Sequence, residues 1–251
     1  MLSHEDRSYL RKNQLAEVIC QFRFPEILII GTNPPAQYQE LIRDSFPQYS
    51  KRNDGPIQNG TTSTNPNHQF SSADGQWRVN LTSTFISISC SKYSCWEEFA
   101  QKLDKPLAAF IKTYNPAYFT RIGLRYLNFI SRKNLHLERT PYRDLIEPCY
   151  LGPLAEDDVN ESGVSRCTVD AQFPLPAGCT LKVHAGPGMI KRNGIADDEL
   201  HFIFDQDLFL SGNMAINTAT SALNTLHRQA YSVFRGAITD TLFQAMEPED
   251  F

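Results

Sequence analysis

The chain has 251 residues, 41% of them hydrophobic and 21% charged, the proportions of a folded globule with room for a substantial core. Its 24 Lys and Arg against 28 Asp and Glu leave a formal net charge of −4; without a global cationic surplus a dedicated nucleic-acid binder is disfavoured, although a local basic patch stays open. The N-terminus MLSHEDRSYLRKNQ lacks the apolar stretch of a signal peptide, and no run approaches the ~18 apolar residues of a membrane span, so a cytoplasmic protein without membrane association is expected.

Residues 15 to 24, LAEVICQFRF, alternate as a half-buried strand, with Val18, Cys20, Phe22 and Phe24 on one face and Glu17, Ile19, Gln21 and Arg23 on the other. A short helix capped at Asn33 and opened by Pro34 and Pro35 is expected next, ending at Phe46-Pro47. Residues 50 to 68, rich in Gly, Pro, Asn and Thr and without period, read as a long surface loop. QWRVNL and TFISIS alternate as two strands. Ser94-Cys95-Trp96-Glu97 carries a capping-box signal, and Trp96, Phe99, Leu103, Leu107, Phe110, Ile111 and Tyr114 recur at helical spacing, with a kink expected at Pro106.

The order then begins again. RIGLRYLNFIS is a strand, TPYRDLIEPCYL a short helical piece, and SRCTVDAQF, TLKVHA and ELHFIFDQDLFL three further strands. Apolar residues from Ile216 to Leu242 form one long helical stripe. The pattern predicts an α+β fold of two duplicated strand, helix, meander, helix halves, residues 1–117 and 118–251, in one compact unit. Their strands would join into one mostly antiparallel sheet with helices on one face.

The other sheet face would then be open and polar. Period two puts His201, Asp205 and Asp207 on it, away from Leu200, Phe202, Phe204 and Leu208, and does the same for Arg121 and Arg125. Two carboxylates at strand spacing repel each other, and the bidentate reach of arginine makes Arg121 or Arg125 the expected counter-charges. A divalent cation on His201, Asp205 and Asp207 is the weaker alternative, since no second ligand set accompanies them.

The cysteines lack metal-ligand grouping. A turn at residues 174–178 would set Phe173 opposite Cys179, leaving Cys167 far along the hairpin; free thiols and no bound metal or cofactor are expected. HAGPGMIKRNG reads as a hairpin connection with a solvated basic tip, and no catalytic nucleophile motif is present. His227 reads as a helix histidine at the edge of the core.

AEVICQFRF, RIGLRYLNFI, the DQDLF strand and LNTLHRQAYSVFRGAIT together resemble a sporadically distributed bacterial protein family of unknown function. The similarity implies that Arg125, Tyr126, Asn128, Asp205, Asp207, His227, Phe234, Ile238 and Thr239 fall on the family's recurring positions. It supplies no activity. Patchy occurrence of that kind is associated with defence-related or toxin-neutralising settings.

The expected function is a non-catalytic binding or regulatory protein. It would take a protein partner or small polar ligand on its polar sheet face through Arg121, Arg125, Asn128, His201, Asp205 and Asp207, with homodimerisation through its helices left open. The alternative is a metal- or nucleotide-dependent enzyme centred on Asp205, Asp207 and Arg125.

Overall fold

The computed structural model describes residues 2–54, 57–58, 61–62, 65–192 and 195–250. In chain order it contains β1 (Ser8–Leu10), β2 (Leu15–Arg23), α1 (Leu28–Thr32), α2 (Ala36–Ile42), β3 (Gln48–Asp54), β4 (Ile57–Gln58), β5 (Thr61–Thr62), β6 (Asn65–Ser71), β7 (Trp77–Leu81) and β8 (Phe85–Cys90). There follow α3 (Trp96–Tyr114), β9 (Phe119–Ile130), β10 (Val169–Pro174), β11 (Thr180–Arg192), β12 (Ile195–Met214), α4 (Ala219–Arg235), α5 (Asp240–Ala245) and β13 (Pro248–Asp250). Helices and sheet are thus mixed as the pattern predicts. Nine strands form one large, mostly antiparallel sheet in the order β10-β11-β12-β9-β2-β8-β7-β6-β3, while β1 pairs with β13 and β4 with β5. No helix among the described residues is long and apolar enough to cross a membrane.

The chain divides into two units. The first comprises Met1–Ala16, Arg125–Leu208 and Thr225–Phe251, and the second Glu17–Leu124 and Phe209–Asn224. In the second unit, alternation sends Val18, Cys20 and Phe22 of β2, Val79 and Leu81 of β7, and Ile86, Ile88 and Cys90 of β8 to one face, where all are fully buried. Helix α3 adds Phe99, Leu103 and Phe110 to this core, with the Phe110 ring 4.7 Å from that of Phe24. In the first unit, Tyr126, Phe202, Phe204 and Leu208 are buried with Leu226, Val233 and Leu242. Fully burying each such side chain contributes roughly 1.5–3 kcal/mol.

Several local expectations need correction. The segment 50–68 is no loop throughout: β3 and β6 pair antiparallel from Gln48↔Ser71 to Asp54↔Asn65. β3 is the edge strand and its side chains from Gln48 to Asn53 are exposed, so nothing imposes the apolar alternation that marks an inner strand. Residues 55–56, 59–60 and 63–64 of that segment lie outside the described residues, as does the 193–194 tip expected for the basic hairpin. HAGPGMIKR itself belongs to strand β11.

The expected capping box does not form. Cys95 is the N-cap of α3 without a side-chain bond, and the Ser94 hydroxyl donates to the Glu98 carboxylate instead. Asn33 ends α1 where it was expected to cap α2. The β10–β11 register pairs Phe173 with Leu181, two residues from the expected Cys179, because the turn spans Leu175–Cys179 and is closed by Leu175 N–H to Cys179 O at 2.8 Å. All six cysteines are free thiols.

The single long C-terminal helix is two helices. The chain leaves α4 after Arg235; Thr239 N–H then donates to Leu145 O at 3.0 Å, Glu147 N–H to Ala237 O at 2.9 Å, and Ile238 bridges to Ile146. Thr239 caps α5 by accepting from Leu242 N–H. The apolar stripe is continuous because both helices bury the same kind of face; the backbone between them is claimed by a neighbouring segment.

Candidate functional site

In the first unit, β9 alternates Arg125, Leu127 and Phe129 against buried Tyr126, Asn128 and Ile130. β12 sets Ile203, Asp205 and Asp207, all half-buried, against buried Phe204, Gln206 and Leu208. Arg125 grips Asp205 bidentately, Nε to Oδ1 at 2.7 Å and Nη2 to Oδ2. The Asp205 side chain is 16% exposed and that of Arg125 44%. Asp207 lies two residues along the same face.

His201 is buried, with Nε2 2.9 Å from Asp197 Oδ2, a hydrogen bond that holds the Asp197 carboxyl below the usual carboxylate range. Its Nδ1 has no hydrogen-bond partner among the described residues. Asn128 stands on the core face, 3% exposed, and its amide donates to Phe204 O at 3.3 Å. The structure therefore joins Arg125 with Asp205, gives His201 a different carboxylate, and turns Asn128 toward the core. Among the described residues no three His, Cys, Asp or Glu side chains gather closely enough to hold a metal ion.

His227 carries a relay that spacing does not reveal. Tyr126 Oη is 2.8 Å from its Nδ1 and Arg7 Nη1 is 2.8 Å from its Nε2. A guanidinium only donates, so Nε2 accepts and the ring proton sits on Nδ1, donated to Tyr126. Both ring nitrogens are thus occupied, with an arginine 220 residues away in sequence. A recess of about 350 Å³ in the same unit is lined by Arg132, Arg139 and Arg143 but also by Asp157, Asp158 and Glu161, and Arg132 is already paired with Glu161 at 2.6 Å.

The second unit presents a different polar face. The registers place Gln69 opposite Asn80, Asn80 opposite Ser87 and Ser87 opposite Gln21, so one row of side chains crosses β6, β7, β8 and β2. The row is hydrogen-bonded: Gln69 Nε2 donates to Asn80 Oδ1 at 2.9 Å and Asn80 Nδ2 to Ser87 Oγ at 3.4 Å. Gln21 Oε1 accepts from Arg23 Nε at 2.9 Å and from Arg121 Nη1 at 3.4 Å.

Arg121 does not extend into solvent. Its guanidinium lies 4.4 Å from the centroid of the Phe209 ring, in the space over Gly123 where a Cβ would come within 2.3 Å of Nη1. Glycine at 123 is what lets the guanidinium lie flat on the sheet. The row on one side runs Ser71, Arg78, Ser89 and Ile19, and on the row at the other side Arg23 faces Phe85. Arg23 and Arg78 are exposed, whereas Ser87, Ser89 and Gln69 are buried between longer neighbours.

Alternation in the sequence identifies Gln21, Arg23, Arg78, Asn80 and Arg121 as face residues. It misses Arg52, hidden in the segment read as a loop, Gln69, which directly follows that segment and falls in no expected element, and Phe209 and Gly123, whose roles exist only once Arg121 has a direction. No protein-family model matches the chain, and no curated protein matches it.

Proposed function

We infer that this protein is a non-catalytic binding module that uses its polar sheet face, and that the Gln69, Asn80, Ser87 and Gln21 row with Arg121 is the recognition surface. The observation that carries the reading is the cross-strand continuity of that row. On strands spaced ~4.8 Å apart, Gln69, Asn80 and Ser87 hold one another by hydrogen bonds, and Gln21 is held by Arg23 and Arg121. Preorganised polar groups on rigid strands recognise a polar ligand with little entropy left to lose. Arg125 and Asp205 satisfy each other, which suits an orienting ion pair better than a metal ligand or a proton-transfer group. The resemblance to the sporadically distributed bacterial family, with its defence-related association, and the doubled order of elements are compatible with such a module and add no chemistry.

The test is a thermal-shift panel of nucleotides, phosphorylated sugars, acidic peptides and oligonucleotides on the wild type and on Arg23→Glu/Arg78→Glu, both exposed positions. At least one class should stabilise the wild type, lose its effect in the variant, and be recovered chemically unchanged by mass spectrometry. A ligand recovered altered would give the case to an enzyme.

A further inference from the structure

We propose that the polar sheet face of the second unit binds single-stranded nucleic acid, its guanidiniums on the phosphates and its rings and amides on the bases. The inference rests on the binding-module reading and names its ligand. The chain's net charge of −4 averages over two unlike units. By sequence, the second unit holds ten Lys and Arg against nine Asp and Glu, and the first unit carries the whole acidic excess.

Within the second unit the cations gather on this face. Arg52 stands opposite Asn67 on β3, Arg78 opposite Ser89 on β7 and Arg23 opposite Phe85 on β2, while Arg121 lies against Gln21. Arg52, Arg23 and Arg78 are exposed, and neither Arg78 nor Arg52 has a hydrogen bond or ion pair among the described residues. Among the described side chains that alternation puts on these strands' polar face, Glu17 is the one carboxylate. Arg23, Arg52 and Arg78, drawn from three strands, set a positive field that a polyanion neutralises.

Charge alone would accept any polyanion. Two half-buried aromatic rings, Phe85 and Phe209, share the face, and the flat Arg121 guanidinium over Phe209 offers a second planar surface for a base. The amide row supplies hydrogen bonds for base edges: Gln21 Nε2 has no hydrogen bond among the described residues, and its Oε1 is held toward the arginines. Rings, guanidiniums and amides on an open sheet are the means by which single strands with unstacked bases are read. A broad sheet face does not enter a duplex groove, which admits a helix or a two-stranded ribbon.

Fluorescence anisotropy on the full chain tests this, with labelled oligo-dT and oligo-U of about 12 nucleotides, the corresponding duplex, and heparin as a base-free polyanion. The two single strands separate DNA from RNA as the source of the shared chemistry. Tighter binding of a single strand than of the duplex or heparin is expected, with log affinity falling against log salt at a slope of about −2 for three phosphates. Arg23→Ser/Arg78→Ser should weaken it at least tenfold and flatten the slope by about 1.4 at an unchanged melting temperature. Arg23→Lys/Arg78→Lys should restore most of the slope. No binding of either strand at low salt, equal binding of duplex or heparin, or an unchanged affinity in the serine variant would overturn the proposal. If the oligonucleotides fail while another ligand class still stabilises the protein through this face, the nucleic-acid inference falls alone. If every class fails, the binding-module reading falls with it.

Discussion

Arg125 holds Asp205 across neighbouring strands with two parallel bonds, Nε to Oδ1 at 2.7 Å and Nη2 to Oδ2. Both Asp205 oxygens are therefore engaged by the same guanidinium, and the carboxylate is largely shielded while the arginine keeps one side in water. This is why Asp205 of β12 behaves as part of the framework in the first unit.

Asp205→Asn should destabilise the protein by about 1 kcal/mol, since one charge-assisted bond is lost and the exposure of Arg125 discounts the Coulomb contribution. Urea denaturation of Asp205→Asn, Arg125→Ala and the double variant closes a cycle. A coupling on the order of 1 kcal/mol is expected, and strictly additive effects would show that the two side chains act independently.

Two glycines should respond in opposite ways. At Gly123 a new Cβ meets the far end of the Arg121 side chain, which can swing off Phe209, so Gly123→Ala should leave stability within about 0.5 kcal/mol while shifting the Phe209 ring resonances. Gly186 has φ +154°, and its Cβ would stand 2.3 Å from the backbone oxygen of Cys167. Backbone cannot move aside as a side chain can. Gly186→Ala should cost more than about 1 kcal/mol, and a neutral result would mean that the backbone leading into β10 yields freely at Cys167.

Leu226 is fully buried on α4. Leu226→Ala should lower stability by about 2–5 kcal/mol, the lost transfer energy plus the residual cavity. An unchanged denaturation midpoint would mean that the stripe of α4 is not packed in solution.

His68 is buried in the second unit, with Nδ1 2.9 Å from Tyr49 Oη and Nε2 3.1 Å from Ile30 O. Burial holds its imidazole below the ordinary value. As pH falls through about 6.5 the unfolded chain takes up this proton before the folded one does. The stabilising contribution is therefore complete above that pH and is lost as pH falls through the folded-state value. Unfolding midpoints measured at about pH 7 and about pH 5 should drop less in His68→Gln than in the wild type, and an NMR titration should find the His68 ring below a free histidine. A ring titrating at or above the free value would reverse the sign.

The reach of the sequence is clearest on β12 and β9. Because successive strand side chains point to opposite faces, LHFIFDQDLFL alone determines that Asp205 and Asp207 leave the core and that Phe202, Phe204 and Leu208 enter it. The same alternation puts Arg121 and Arg125 together on one face. It does not say which arginine meets which acceptor. Arg125 goes to Asp205 and Arg121 to Gln21 and Phe209, a choice made by strand register and by the space over Gly123.

Only tertiary structure decides the rest, because the deciding contacts join distant segments. β3 is a strand because β6 hydrogen-bonds along its length, although its own side chains carry no apolar period. The C-terminal helix is broken between Arg235 and Asp240 because Leu145, Ile146 and Glu147 take the backbone groups a continuous helix would have used. His227 gains its partner from Arg7 at the other end of the chain. Alternation is a local steric property of a strand and is written into adjacent residues, whereas register, partner choice and the gathering of charge on one unit depend on which strands become neighbours.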